Sequence, residues 1–309
     1  MKYGTVHQQN LLKKMHKFYK DIKPYGKLLL GKYLEKKPTP TDIDNKIEYG
    51  LYWINDHIYF NKVPKKSTVI MSVNDFQTLL DLGQIKDYIN IITCDNPRNT
   101  YANILYDFYE NLFENDIVNK IQNSDVIGFN VLMGENVKLG GNVKIGNNVI
   151  IYNNTIIGDN TVVGDNVVIG SKGVAYDKEN DGILTRFPQI GGVRIGDDVE
   201  IDSFCDIKRG ALKNTIISDG VKIGAYNNIG HNVFIGKNTF ISNRCTLCGS
   251  SKIGENCTLW VQSTVKHKVT VGNKTIIGSN TYVNKNFLGE GQTLIGIPAK
   301  IINNTKTII

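Results

Sequence analysis

From residue 127 onward, aliphatic residues recur every six positions, and a smaller residue, usually Val or Thr, stands four positions after each of them. Glycine directly follows many of the aliphatic residues. A period of six with frequent glycine fits no helix, in which glycine is unfavourable. We therefore predict a solenoid built from short strands and corners. The aliphatic positions run from Ile127 to Ile169, resume at Ile195, Ile201 and Ile207, and continue from Ile217 to Val283.

Three hexads make one triangular coil, so residues 18 positions apart are predicted to stack. Gly and Asn suit the corners because they tolerate positive φ, and stability is expected from coil-on-coil contacts. The spacing itself does not set the handedness. Cys205, Cys245 and Cys257 fall at the small inward position, where a free cysteine packs as a small hydrophobe. We prefer this interpretation to a zinc or redox role for the pair Cys245 and Cys248, since no second pair stands at zinc-finger spacing.

Two insertions interrupt the repeat, one of 20 residues within 171–194 and one of four residues around 210–213. After correction for both, Ile169, Ile207, Ile229, Leu247 and Val265 fall in one column, so both insertions leave the same edge of the solenoid. The residues two positions further on are Ser171, Arg209, His231, Gly249 and His267. A long loop, a short loop and two histidines on one edge predict a functional site, although corners also tolerate insertions for no functional reason.

The first 120 residues predict a mixed α/β domain. Residues 10–22 favour a helix that Pro24 would end, and residues 69–71 and 91–93 favour short buried strands. The aromatic residues Tyr52, Trp53, Tyr59 and Phe60 suit either stacking on a nucleobase or, more commonly, a core. We predict three segments: an N-terminal nucleotide-sugar-binding domain at 1–120, the solenoid at 121–286 with its loop insertion at 171–194, and a short tail at 287–309.

Charge and composition exclude some classes of function. The net charge of +7 is spread along the chain, without the basic stripe and interleaved aromatics of a nucleic-acid-binding surface. No apolar stretch approaches the roughly 18 residues of a membrane span, and residues 1–10 lack the apolar core of a signal peptide. We expect a cytoplasmic protein with no nucleic-acid partner and no membrane span.

Several segments resemble one enzyme family. Residues 229–236, Ile-Gly-His-Asn-Val-Phe-Ile-Gly, resemble the catalytic-histidine segment of the UDP-3-O-acylglucosamine N-acyltransferases of the lipid A pathway. Four further stretches resemble other parts of the same family: residues 187–201, residues 208–212, residues 248–254, and residues 94–98 with the following 101–108.

The resemblance implies a mainly β protein, a left-handed parallel β-helix with a smaller α/β N-terminal domain. It implies a homotrimer with each site between adjacent β-helices, His231 as general base and the Gly249 amide as oxyanion donor. We expect Asn232, Arg209 and His267 to bind substrate, although the family's second histidine is displaced by one residue from His267, and Arg209 could instead brace the loop. The long loop would wall the acceptor site with Tyr176, Arg186 and Phe187. This chemistry needs no metal and no permanent cofactor.

The end of the chain favours a particular acyl donor. It stops soon after Gly296-Ile297-Pro298-Ala299-Lys300, which resembles the acetyl-CoA-using members of the wider superfamily. We expect Gly296, Pro298 and Lys300 to bind acetyl-CoA or another short acyl-CoA. The acceptor would be a UDP- or dTDP-linked amino sugar of surface-glycan or lipopolysaccharide biosynthesis.

Three alternatives stay open at this stage: the lipid A enzyme itself, using acyl carrier protein; a sugar O-acetyltransferase; and a non-catalytic β-helix scaffold. A carbonic-anhydrase-like scaffold would need three zinc histidines across an interface. Only two of the five histidines lie in the repeat, so we regard that variant as poor.

Overall fold

A computed structural model describes residues 16–22, 24–30, 33–86, 88–109, 127–178 and 182–302. The chain divides into two compact units, residues 1–112 with 175–188 and residues 113–174 with 189–309. Much of the long loop, residues 175–188, is thus part of the N-terminal unit, whereas we predicted the whole loop as an insertion of the solenoid domain. The predicted boundary at residue 120 lies outside the described residues.

The N-terminal unit contains a five-stranded sheet in the order β1-β5-β4-β3-β2. β1 is antiparallel to β5, and the other neighbours are parallel. The strands are β1 (Lys27–Leu30), β2 (Thr39–Pro40), β3 (Gly50–Trp53), β4 (Thr68–Ser72) and β5 (Asn90–Cys94). The helices are α1 (Lys17–Asp21), α2 (Val73–Asp81) and α3 (Pro97–Phe108), with a 3₁₀ helix at His57–Lys62.

Local predictions for this unit are largely confirmed. β4 and β5 contain the two predicted buried strands. Of the predicted helix 10–22, residues 10–15 lie outside the described residues, and α1 forms the described end. Tyr52 and Phe60 are fully buried, so they are core residues and offer no ring face to a nucleobase.

The second unit is a parallel β-helix with three faces, which the chain visits in turn. The first face contains the strands Leu132–Met133, Ile150–Ile151, Val168–Ser171, Asp206–Lys208, Asn228–Ile229, Thr246–Leu247, Thr264–Val265 and Tyr282–Val283. The second contains Lys138–Leu139, Thr155–Ile157, Val193–Ile195, Thr215–Ile217, Phe234–Ile235, Lys252–Ile253 and Thr270–Val271. The third contains Lys144–Ile145, Val162–Val163, Glu200–Ile201, Lys222–Ile223, Phe240–Ile241, Thr258–Leu259, Ile276–Ile277, Thr293–Ile295 and Lys300–Ile301.

Strand register confirms the predicted column on the first face. Ile169 pairs with Ile207, Ile207 with Ile229, Ile229 with Leu247, and Leu247 with Val265. The repeated aliphatic residues form one continuous core along the helix axis. Cys205, Cys245 and Cys257 are buried within that core, as the period predicts. The fold class is the predicted left-handed parallel β-helix with a smaller α/β domain.

Asparagine dominates the corners for a backbone reason. The residue three positions after each repeated aliphatic residue usually has φ near +55 to +62°. This is the left-handed region, which Asn tolerates better than other non-glycine residues. Their side chains also form ladders, as where Asn130 Nδ2 donates to Asn148 Oδ1 at 3.0 Å and Asn142 Nδ2 to Asn160 Oδ1 at 3.1 Å. Among the described residues, no helix has both the length and the apolar character needed to cross a bilayer.

Candidate active site

The corner between the first and second faces carries the predicted site residues. We call this corner the histidine edge and define it by Arg209, residues 230–232, residues 248–250 and residues 266–268. Both insertions leave the solenoid there, after the strands Val168–Ser171 and Asp206–Lys208. The predicted stacking of His231 and Gly249 is confirmed by the pairing of Ile229 with Leu247, two residues before each.

The imidazole of His231 is held from one side by its neighbour in the sequence. Its Nδ1 lies 3.0 Å from Asn232 Oδ1, and the same oxygen accepts a hydrogen bond from Ala211 N at 3.0 Å. Because Ala211 N can only donate, the atom facing Nδ1 is the amide oxygen, which can only accept. Nδ1 must therefore carry the proton, and Nε2 is left with its lone pair. This is the form in which an imidazole acts as a base.

Asn232 is itself fixed by the second insertion. Its φ is 59°, and its backbone N–H donates to Thr215 Oγ1 at 2.9 Å. Thr215 is buried, and its hydroxyl donates to Lys208 O at 2.7 Å. The short insertion and its flanking residues thus hold Asn232, and Asn232 contacts the ring of His231. A contact of Asn232 with substrate stays a prediction.

Gly249 lies directly beside the free nitrogen of the imidazole. A Cβ atom at this position would stand 2.4 Å from His231 Nε2, which is too close for any side chain unless the ring moves. The glycine is therefore required by the close approach of the ring.

The backbone N–H of Gly249 is not used to join one coil to the next. At several other corners the equivalent N–H donates to a side-chain oxygen one coil later, as from Ala225 to Asn243 and from Glu255 to Asn273, both at 2.9 Å. One coil after Gly249 stands His267, and within the described residues Gly249 N–H makes no hydrogen bond. A donor next to the basic nitrogen thus remains available for a developing negative charge.

The other two predicted residues of the histidine edge, His267 and Arg209, differ in their exposure to solvent. His267 is exposed one coil beyond Gly249. Arg209 is only 2% exposed, and its Nη2 donates to Asn153 O at 2.6 Å while its backbone N–H donates to Ser171 O at 3.0 Å. Burial against the backbone carbonyl of Asn153 favours the alternative that Arg209 braces the corner, and a contact of Arg209 with substrate stays a prediction.

One residue of this region escaped the sequence analysis. The Gln189 side chain is 2% exposed, and within the described residues neither its Nε2 nor its Oε1 has a hydrogen-bond partner. Its Oε1 stands 3.3 Å from the position of a Cβ on Gly173, and that same position lies 3.1 Å from His231 Cδ2. A buried side-chain amide without hydrogen bonds destabilises the folded state. Because Gln189 lies near the imidazole of His231, we regard it as a candidate site residue. No periodicity signals it, because it lies outside the hexads.

The three predicted residues of the long loop lie in the N-terminal unit. Tyr176 and Arg186 belong to a hairpin of the strands Tyr176–Lys178 and Leu184–Arg186, and Arg186 Nη2 donates to Tyr176 OH at 2.5 Å. Phe187 is buried, with its ring parallel to that of Tyr101 at 6.4 Å and with the guanidinium of Arg98 above it at 4.6 Å. Its burial and these ring contacts make Phe187 a packing residue of the N-terminal unit, and its contact with substrate stays a prediction.

The predicted donor-binding residues are remote from His231 within one chain. Gly296, with φ of 96°, and Pro298 form the turn between the third-face strands Thr293–Ile295 and Lys300–Ile301. The first third-face strand after His231 is Phe240–Ile241. The turn lies three coils beyond that strand, which is about 14 Å along the helix axis at the usual strand spacing. Gly296, Pro298 and Lys300 therefore contact neither His231 nor Gly249.

The N-terminal unit contains a separate cavity of about 680 Å³. It lies where the parallel strands β4 and β5 end and α2 and α3 begin. Its lining mixes apolar residues such as Val73 and Phe76 with polar ones, among them Lys27, Asp95 and Asn96.

Asp56, His57 and Asp75 form the one cluster among the described residues whose ligand atoms lie close enough to share a cation. Their carboxylates already have structural partners, because Asp56 Oδ1 accepts from Ile58 N at 3.0 Å and Asp75 Oδ1 from His57 N at 2.9 Å. The cluster is explained by capping of local turns.

Comparison with known families agrees with the repeat geometry. Residues 136–171 and 250–285 match the family described as bacterial transferase hexapeptide (six repeats). These two segments therefore contain repeats of this type. The two matched segments of this hexapeptide-repeat protein lie on either side of the insertions, since the first ends at Ser171 and the second begins at Ser250.

Relatives of this hexapeptide-repeat protein share part of its length. A UDP-3-O-acylglucosamine N-acyltransferase of Delftia acidovorans is 47% identical over 87 residues, which are 28% of this chain and 26% of the relative. The enzyme of that name from Bordetella parapertussis is 38% identical over 111 residues, or 36% of this chain and 31% of the relative. The chain thus matches only about a quarter to a third of the length of these relatives.

Solved structures show the same fold at low identity. The UDP-N-acetylglucosamine acyltransferase of Francisella novicida has a TM-score of 0.53 at 23% identity, covering 59% of this chain and 66% of that one. LpxA of Acinetobacter baumannii has a TM-score of 0.51 at 21% identity, covering 58% and 68%. These similarities concern the β-helix fold alone.

Proposed function

We propose that this protein is an N-acyltransferase that moves a short acyl group from acyl-CoA to the amino group of a nucleotide-linked amino sugar. The observation that carries the proposal is the pairing of a base and a donor at one point of the histidine edge. His231 Nε2 has its lone pair free beside Gly249, and Gly249 N–H is unengaged within the described residues.

The reaction assigns one step to each group. The sugar amine loses a proton to His231 Nε2 as its nitrogen attacks the thioester carbonyl, which forms the C–N bond. The carbonyl oxygen becomes an oxyanion, which Gly249 N–H stabilises. Collapse of this intermediate breaks the C–S bond, and the imidazolium returns its proton to the leaving thiolate. The products are an amide and free CoA thiol.

The choice of an amine acceptor on a nucleotide sugar rests on the relatives. Those with 38–47% identity over part of the chain carry the name UDP-3-O-acylglucosamine N-acyltransferase. The choice of a CoA donor rests on the motif Gly296-Ile297-Pro298-Ala299-Lys300. Because this motif is remote from His231 within one chain, we propose that Gly296, Pro298 and Lys300 hold the distant end of an extended donor.

The N-terminal cavity is our candidate for the nucleotide. Ligands of α/β sheets commonly bind beyond the carboxyl ends of parallel strands, and Lys27 supplies a positive charge suited to a diphosphate. The replacement Lys27→Ala should raise KM for the sugar nucleotide and leave KM for the acyl donor unchanged. Equal effects on the two KM values would show that the cavity does not bind the nucleotide.

A second candidate is favoured by the names of the relatives: the lipid A enzyme acting on UDP-3-O-acylglucosamine with an acyl carrier protein donor. The two functions separate in one assay, in which the protein is incubated with UDP- and dTDP-amino sugars and either acetyl-CoA or acyl carrier protein loaded with a long acyl chain. Release of free thiol is followed. Turnover with the carrier protein alone would establish the second function and reject ours.

The base is tested by His231→Ala, for which we expect kcat to fall by about 10²–10⁴, the usual effect of a positioned general base. His267→Ala is the matched control on the same edge and should have a smaller effect. A folded His231→Ala variant with wild-type kcat would place the base elsewhere.

A further inference from the structure

The side-chain amide of Gln189 is buried without a partner beside the proposed base. The residue is 2% exposed, and within the described residues neither its Oε1 nor its Nε2 takes part in a hydrogen bond. A buried polar group of this kind destabilises the folded state. Its presence in a native protein calls for an explanation, of which a part in catalysis is one.

The backbone on both sides of this amide is held in place. Ile190 N–H, the next in the chain, donates to Ala211 O at 2.7 Å. At the other end of the long loop, Ser171 Oγ donates to Asp206 Oδ1 at 2.9 Å and accepts from Lys208 Nζ at 3.0 Å. The amide thus lacks a partner within a well-bonded frame, so a loose loop does not explain it.

Gly173 brings the amide close to the imidazole. An ideal Cβ on Gly173 would lie 3.3 Å from Gln189 Oε1, 3.1 Å from His231 Cδ2 and 3.0 Å from His231 Cβ. The amide oxygen and the Cδ2 edge of the ring therefore border the same small space, which the absence of a side chain on Gly173 keeps clear. Cδ2 is bonded to Nε2, the atom that takes the proton, whereas Asn232 lies at Nδ1 on the other side of the ring.

The imidazole has no carboxylate partner among the described residues. His231 forms no ion pair there, and its ring hydrogen-bonds to the neutral Asn232 Oδ1. When the ring takes a proton, it becomes positive with only neutral dipoles to stabilise it. The Oε1 atom of Gln189 carries the negative end of one such dipole. A dipole that is fixed before the reaction stabilises charge effectively where water is excluded.

We propose that Gln189 is a positioning residue of the proposed reaction, whose Oε1 stabilises the imidazolium that forms when His231 takes the proton of the attacking amine. The inference rests on the proposed function, because that step is where the ring becomes charged. The proton moves from the amine to Nε2 and later to the leaving thiolate, and the amide neither gains nor loses one. The interaction is strong only while the ring is charged, so it favours the transition state over the bound substrates.

Kinetics test the amide at constant side-chain length. Gln189→Met removes the dipole and keeps an unbranched side chain, and Gln189→Leu guards against a packing defect peculiar to methionine. We expect kcat to fall by about three- to tenfold, the effect of one partial charge near a partly exposed ring. KM for the sugar nucleotide and KM for the acyl donor should not change, because the buried amide touches neither substrate.

Stability should move in the opposite direction. An apolar replacement removes the unpaired amide, so the melting temperature of Gln189→Met should equal or exceed that of wild type. The matched control is Thr275→Val, since Thr275 is fully buried and its Oγ1 also lacks a hydrogen bond among the described residues. Thr275 lies at the start of a third-face strand two coils beyond Phe240–Ile241. Its replacement should have the same effect on melting and none on kcat.

A double-mutant cycle tests whether the amide acts through the ring. In a His231→Ala background, Gln189→Met should change the residual rate by less than about twofold, because no imidazolium can form. The inference is overturned if both Gln189 variants keep wild-type kcat, or if Gln189→Met lowers the rate as strongly without the imidazole. It is also overturned if both variants melt far below wild type, since the amide would then be structural. An inactive wild type would instead reject the proposed function, and this inference with it.

Discussion

At the scale of single residues, the histidine edge works by holding one imidazole in one form. The carboxamide oxygen of Asn232 faces Nδ1 of His231 because Ala211 N already fixes which amide atom is the oxygen. Gly249 then leaves room for Nε2 on the other side of the ring. Two neighbours without charge thus set the tautomer and the position of the base.

Replacing Asn232 by Gly tests the tautomer. Glycine accepts the φ of 59° at this position, so the variant removes the carboxamide and little else. A hydrogen bond of this kind contributes about 0.5–1.5 kcal/mol, so kcat should fall by up to about tenfold. Asn232→Asp keeps an oxygen that can accept from Nδ1 and should retain more activity than Asn232→Gly. The opposite order in steady-state kinetics would remove Asn232 from this role.

Gly249→Ala tests the close approach. The backbone of Gly249 does not have positive φ, so alanine adds only a methyl group whose carbon would lie 2.4 Å from His231 Nε2. The imidazole must shift, and a misplacement of this size costs about 10²-fold in rate. We expect kcat to fall to that extent with an unchanged melting temperature. A variant that melts far below wild type would show that the glycine serves folding instead.

At the scale of elements, the period of six determines most of what the chain forms. The spacing of aliphatic residues predicts the first-face column that strand register then confirms from Ile169 to Val265, because hexads repeat the same local geometry. Contacts made by residues outside the hexads do not recur at a fixed spacing in the sequence. The burial of Arg209 against Asn153, the unpaired amide of Gln189 and the packing of Phe187 on Tyr101 depend on residues distant in the sequence, which composition and spacing do not reveal.

The coil-on-coil core is tested at a third-face position away from the site. Leu259 is fully buried in the aliphatic column, and a Leu→Ala change in such a core costs about 2–5 kcal/mol. The free energy of unfolding in urea should fall by that amount in Leu259→Ala. Lys252→Ala removes an exposed side chain of the adjacent second face and should change it by less than about 0.5 kcal/mol. Similar losses in both variants would contradict a core organised around this column.

At the scale of the whole molecule, the histidine edge encloses the proposed active site only in part. Arg209 is buried at one end of the histidine edge, but His231 and Gly249 are both partly exposed and His267 is exposed. Acyl transfer to an amine requires the exclusion of water that would otherwise hydrolyse the thioester. A single open corner offers one wall, so the proposed chemistry needs a second wall from another copy.

The assembly prediction follows from that need. We expect a homotrimer, with a mass by light scattering three times the 34.5 kDa of one chain, and specific activity that falls with dilution as the trimer dissociates. At the corner between the third and first faces, Phe204 and Tyr226 are 49% and 54% exposed and their rings stack at 4.9 Å, so we expect them to contact another copy. Phe204→Asn/Tyr226→Asn restores the residue type that prevails at the other corners and suits the left-handed φ of 61° at both positions. It should therefore fold well but shift the mass towards the monomer and lower activity in parallel. A monomeric wild type with full, dilution-independent activity would show that one corner suffices, and the second wall would then have to come from within the chain.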